Sequence, residues 1–170
     1  MHIDSILTLI ELVISAFTLA AAVLTLRVGI KTLKADHERR KKQSTIEFYQ
    51  EISNITAKLK EAIDKLFADK AINPTDPDYA NNEELKLKIS QYLTVMERFA
   101  VGINTGVYDL DIYMRCAGRS TIHWYDRLVQ IIKDKRKDNK SHLYIDFEHM
   151  TNELRNRYDK LDKSANIIHS

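Results

Sequence analysis

Cysteine, proline and glycine are almost missing from this chain. One cysteine, Cys116, among 170 residues excludes an intramolecular disulfide and any cysteine-based zinc site. It agrees with a reducing compartment. Two prolines and four glycines leave few places where a helix must stop. No segment alternates with period two over a strand's length, so a sheet is not expected. An excess of one charge is also lacking: 26 Lys and Arg stand against 24 Asp and Glu, a net charge of +2. The whole chain is therefore not built as a duplex nucleic-acid binder. Catalytic signatures are lacking as well. There is no Walker loop, GxSxG or GxGxxG, and no His pair with zinc-protease spacing. The sequence points to no enzyme, metal or cofactor.

What is present is a long apolar run. From Ile6 to Leu26 the chain reads ILTLIELVISAFTLAAAVLTL, in which only Glu11 is charged. At about 1.5 Å per residue, roughly 20 residues cross a hydrocarbon core of about 30 Å. The run is longer than a signal-peptide core, and the preceding MHIDS holds no Lys or Arg, so a retained anchor is expected. Downstream come Arg27, Lys31, Lys34, Arg39, Arg40, Lys41 and Lys42. The positive-inside rule then puts the C-terminal part in the cytoplasm and a short N-terminus outside. Arg39, Arg40, Lys41 and Lys42 are expected at anionic headgroups of an inner, cytoplasmic membrane.

The polar side chains of the run share one stripe: Thr8, Glu11, Ser15, Thr18 and Thr25, with Ala22 completing it. A spacing near 3.5 keeps a seam turned toward a partner helix. Small and hydroxylated residues allow close approach and hydrogen bonding in lipid, and a carboxylate avoids the tails. A homo-oligomer with Glu11 inside the seam is the expectation.

Beyond the anchor no Pro or Gly run interrupts the chain, so one helix is expected to continue to about Ala68. Its soluble stripe is Ile52, Ile55, Leu59, Ala62 and Leu66. Asn73-Pro74-Thr75-Asp76-Pro77-Asp78 is a loop signal. A second soluble helix starts near Asn81 with Glu84 three residues on. It carries Leu85, Ile89, Tyr92, Met96, Phe99 and Ile103 inward and ends near Gly102 or Gly106. A third runs from Leu110 to Asp134, capped by Asp109, with Leu110, Tyr113, Ala117, Trp124, Leu128 and Ile131 inward. A fourth starts after Ser141, with Leu143, Phe147, Met150, Leu154 and Leu161 inward. The expected fold is all-α: one transmembrane helix continuing into a cytosolic bundle of about four helices. The division reads as an external N-terminus (1–5), a transmembrane helix (6–28), a basic juxtamembrane helix (29–43), a cytosolic domain (44–163) and a frayed tail (164–170).

The candidate binding residues lie on the third soluble helix. Arg115, Arg119 and His123 follow one another at intervals of four, beside Tyr125 and Arg127. Guanidinium groups match phosphate bidentately, so this stripe could hold a phosphate-bearing ligand. A solvated or salt-bridged face, with Glu97, Asp109 or Asp111 as partners, accounts for the same residues. Gly118 within the helix marks close packing or ligand approach.

The stretch MERFAVGINTGVYDLDIYMRCAGRSTIHWYDRLVQIIKDKR resembles a bacterial family catalogued only as a domain of unknown function. Its members often pair an N-terminal transmembrane helix with a helical domain. The matching residues are Glu97, Arg98, Ala100, Gly102, Gly106, Tyr108, Asp109, Trp124 and Arg127. The resemblance implies an architecture and no chemistry. In layout only, it is similar to small membrane effectors of bacterial antiviral defence, which join a cytosolic sensor to a membrane segment. The leading expectation is therefore a membrane-anchored sensor or effector. Its cytosolic bundle would bind a small-molecule ligand (a nucleotide second messenger, for example) or a partner, and act through the oligomeric seam. The alternative is a membrane-anchored adaptor that docks a cytosolic protein without disturbing the membrane.

Overall fold

A computed structural model describes the backbone of residues 2–137 and 142–168, and the side chains of residue 12 and of residues 14–137 and 142–164. The described residues form helices and no strand. The helices are α1 (His2–Phe67), α2 (Pro77–Ala80), α3 (Glu83–Asn104), α4 (Leu110–Lys135) and α5 (Ile145–Ile168). The chain divides into two compact units, residues 1–40 and 41–170, and α1 passes through both.

The first unit is helix alone. From Ile14 onward α1 is long and apolar enough to cross a membrane, and none of its apolar stretch is buried. Leu12, Ile14, Phe17, Leu19, Leu24 and Leu26 are exposed, as lipid-facing side chains would be. Of the expected seam, the side chains of Thr8 and Glu11 lie outside the described residues. Ser15, Thr18, Ala22 and Thr25 are exposed. Thr18 and Thr25 donate to the carbonyls of Ile14 and Ala21, at 2.8 and 2.9 Å. Their hydroxyl protons are thereby satisfied within the helix, which leaves the oxygens as acceptors.

The second unit packs residues 41–67 of α1 with α3, α4 and α5. All six inward residues expected on α3 are buried. On α1 the register differs from expectation. Ile52 and Leu59 are buried, but the stripe continues through Ile63 and Phe67, while Leu66 is exposed. A strict 3.5 spacing loses phase against a straight helix of 3.6 residues per turn, and Ile63 and Phe67 keep that phase. Leu161 is exposed, not inward. It lies beyond the Tyr158–Met114 contact, at the surface beside Asp111, Met114 and Ser164. The start of α3 is one residue later than expected: Asn82 is the cap and accepts from the Leu85 amide at 3.0 Å. Glu84 pairs with Lys88 instead. Sequence periodicity also missed α2, a single turn capped by Asp76, which is too short to show one.

The quoted motif turns out to be a set of joints. Glu97 accepts the amides of Asp146 and Phe147, at 3.3 and 2.9 Å, and so caps α5. The Tyr108 ring lies where a Cβ on Gly102 would stand. Gly106 has φ +81°, a conformation glycine adopts freely. Asp109 caps α4 through the amides of Asp111 and Ile112. Gly118 likewise leaves room for Tyr158, whose hydroxyl would be 2.6 Å from an added Cβ. That hydroxyl donates to the Met114 carbonyl at 2.8 Å. Close packing therefore accounts for the glycine inside α4.

Candidate functional site: a groove between α1 and α4

Helices α1 and α4 run parallel, as three contacts at nearly constant sequence offset show. The Asp109 amide donates to the Thr45 hydroxyl at 2.8 Å. The rings of Tyr49 and Tyr113 meet edge to face with centroids 6.3 Å apart. Arg127 pairs with Asp64 at 2.9 Å. Thr45 is fully buried and also donates to the Lys41 carbonyl, so the upper joint is a built one. The lower joint is stronger. Arg127 is buried, and its guanidinium donates to Asp64 and to the carbonyls of Ala68 and Lys70. Its own carbonyl receives the Ile72 amide at 2.9 Å. The planar fork of arginine suits this three-way grip on the end of α1.

Between the two joints the helices do not close. A cavity of about 310 Å³ opens there. On α1 it is lined by Ser53, Thr56 and Lys60, and on α4 by Cys116, Ser120 and His123. Its floor holds Tyr92 and Met96 of α3 together with Tyr113 and Trp124 of α4. Small side chains at the lips explain the gap: Ser, Thr, Ala and Cys cannot reach across as the Tyr49–Tyr113 pair does at one end and Arg127 does at the other. A cavity of this size with an aromatic floor and a few polar groups has the character of a small-molecule site, for which about 300–1,000 Å³ is usual.

Two tyrosine hydroxyls of this region stand out. Tyr113 shares a 2.6 Å hydrogen bond with Thr121. Tyr92 is fully packed around its ring by Trp124 and Phe147, yet its hydroxyl makes no hydrogen bond among the described residues, although it lines the cavity. Burial first, and the neighbouring Tyr113 second, push the Tyr92 hydroxyl well above the ordinary tyrosine range. It is therefore a neutral donor at physiological pH. Burial likewise raises Tyr113.

The five candidate binding residues, the stripe of Arg115, Arg119 and His123 with Tyr125 and Arg127 beside it, have different surroundings. Successive steps of four residues drift by about 40° on a helix of 3.6 residues per turn. Arg115 is accordingly exposed. Arg119 lies over the Tyr158 ring, 4.5 Å from its centroid, and 3.9 Å from Asp162. His123 reaches the lip of the groove. Tyr125 is buried on the opposite side, edge-on to Phe147. Arg127 lines the lower end of the groove but is held by Asp64 and the two carbonyls. Of the five, only His123 and Arg127 meet at the cavity. Sequence reading missed Ser53, Thr56, Lys60, Tyr92 and Ser120, because no one helix displays them as a motif. Of the basic cluster near the membrane segment, Arg40 pairs with Asp36 at 2.9 Å.

A family model described as a domain of unknown function, DUF4760, matches residues 5–154, and the chain belongs to that family. The match takes in the apolar segment, both joints and the whole lining of the groove. No curated protein and no solved structure matches the chain.

Proposed function

We propose that this protein is a membrane-anchored sensor and effector. A small molecule occupies the groove between α1 and α4, and its binding shifts the state of the transmembrane helix, which self-associates. The observation that supports this reading is a matter of connectivity. The helix that forms one wall of the groove is the same helix that carries the apolar segment. A ligand that binds one arrangement of α1 more tightly than another biases that arrangement, and no other device is required. In this reading residues 41–170 are cytoplasmic, which the basic residues after the apolar run favour, and Glu11 and Ser15 lie in the seam. A defence against phage is a fitting role for such a layout.

The test uses the full chain expressed in bacteria. Thr56→Trp fills the groove, and Glu11→Leu with Ser15→Leu removes the polar seam. Growth, membrane leakage and phage plating are followed beside the oligomeric mass in nanodiscs. The expected result is that the groove variant abolishes leakage while keeping the wild-type mass, and the seam variant lowers the mass and abolishes leakage. If both behave as wild type and a stoichiometric cytosolic partner co-purifies, the protein is an adaptor and the sensor reading is wrong.

A further inference from the structure

We infer that the groove takes a small planar aromatic anion: a ring that lies on the floor, with a phosphate or carboxylate at the lip. This rests on the groove being the sensory site. The floor supplies flat apolar surface from Tyr92, Met96, Tyr113 and Trp124. Such surfaces favour a stacked or edge-on ring. The charges along the groove are sorted by position. Both lining carboxylates, Asp64 and Asp69, sit at its lower end, where Asp64 is already engaged by Arg127. In the open stretch the lips carry Lys60 and His123 and no acidic side chain. Lys60 makes no ion pair among the described residues. The open stretch thus attracts an anion and penalises a second cation.

Tyr92 adds specificity. Its ring is buried, and its hydroxyl, which makes no hydrogen bond among the described residues, opens on the cavity. A ligand acceptor that reaches this hydroxyl gains a hydrogen bond in a largely apolar part of the groove. A ring nitrogen or exocyclic oxygen is the matching group. Ser120 and the Oγ of Thr56, which already donates to the Ile52 carbonyl at 2.9 Å, leave further acceptors along the walls. At about 310 Å³ the cavity suits one ring system and one anionic group, which excludes an extended polymer.

Two single-copy residues make the idea directly measurable. The chain has one tryptophan and one cysteine, and Trp124 and Cys116 both line the groove. The full chain in nanodiscs is titrated with phenyl phosphate and adenosine 5′-monophosphate, and in parallel with phenol and adenosine. Trp124 emission and the rate of Cys116 alkylation are recorded. The expected result is a saturable change and slower alkylation with the anions, at affinities at least tenfold above those of the neutral rings. Lys60 is exposed, so Lys60→Gln leaves the fold intact, and it should remove most of that tenfold preference. Tyr92→Phe should weaken adenosine 5′-monophosphate severalfold more than phenyl phosphate, which has no ring acceptor. Neutral rings binding as tightly as anions, a preference that survives Lys60→Gln, or no saturation with any of the four would overturn the inference. The two readings fail separately. Binding as described without any change in leakage or mass defeats the sensor proposal alone. Leakage silenced by Thr56→Trp while none of the four probes binds defeats the ligand class alone.

Discussion

Arg127 and Asp64 stand 63 positions apart in the chain and 2.9 Å apart in space. The side chain of Arg127 is 4% exposed and that of Asp64 is 38% exposed, so the pair is unequal. The guanidinium is committed, while the carboxylate keeps contact with water. What Arg127 holds is the last turn of α1 and the loop after it, through three acceptors at once.

That inequality makes a prediction. Arg127→Lys puts one point charge where a fork served three acceptors and should destabilise the domain by about 2–4 kcal/mol. Asp64→Asn keeps an acceptor oxygen on a half-exposed group and should cost about 1 kcal/mol or less. Thermal unfolding of the full chain in mild detergent measures both. Equal losses for the two variants would refute the assignment of the joint to Arg127.

Gly102 and Tyr108 give a second prediction. A Cβ at Gly102 meets the Tyr108 ring, and overpacking of that kind costs about 1–3 kcal/mol. Gly102→Ala gains about 1 kcal/mol of helix propensity, so its net loss should be modest in the wild type. In a Tyr108→Leu background the clash is relieved and the same substitution should become neutral or stabilising. A double-mutant cycle on the melting temperature reads the coupling directly. Additive effects would mean that the ring and the glycine do not compete for the same space.

Helix content and the α3 face were legible because Leu85, Ile89, Tyr92, Met96, Phe99 and Ile103 repeat at helical spacing and are all buried. The joints were legible in part: Asp109 was readable as the cap of α4, which it is. Glu97 and Gly102 also stood out in the chain, but their work depends on Phe147 and Tyr108, whose nearness no spacing rule supplies. The groove was not legible. Its lips come from α1 and α4, whose parallel pairing rests on contacts such as Thr45 with Asp109, 64 positions away. Its lips carry small residues such as Ser53, Thr56, Cys116 and Ser120, which on a single helix look like an ordinary solvated face. The arginine stripe spreads around the helix for a simple geometric reason. Regular intervals of four look like one face, while the helix turns Arg119 toward Tyr158 and His123 toward the groove.

Buried tyrosines predict the response to alkali. Tyr92, Tyr113 and Tyr125 hold their protons more tightly in the folded chain, and burial pushes Tyr125 up to about 12. The unfolded chain ionises first, near the ordinary tyrosine value of 10.0. Their contribution to stability is therefore complete below that pH and is lost as pH rises through the window toward 12. Each ionisation should cost about 1.4 kcal/mol per pH unit within its window. Tyr125 makes no hydrogen bond among the described residues, so Tyr125→Phe should leave the neutral-pH melting temperature nearly unchanged and flatten its alkaline decline. A decline as steep in Tyr125→Phe as in the wild type would count against it.

Glu97 carries the last prediction. Its two oxygens accept the Asp146 and Phe147 amides at the start of α5, where the helix presents unpaired donors and positive dipole. Glu97→Ala removes both acceptors and should cost about 1–2 kcal/mol, as losing a helix cap does. Glu97→Gln keeps one oxygen but not the charge, so it should fall between. Hydrogen exchange separates this from a diffuse loss of stability. The amides of Asp146 and Phe147 should lose protection in Glu97→Ala before those in the middle of α5 do, because the cap closes only the first turn. Unchanged exchange at these two amides, whatever the melting temperature, would show that Glu97 does not hold the helix end.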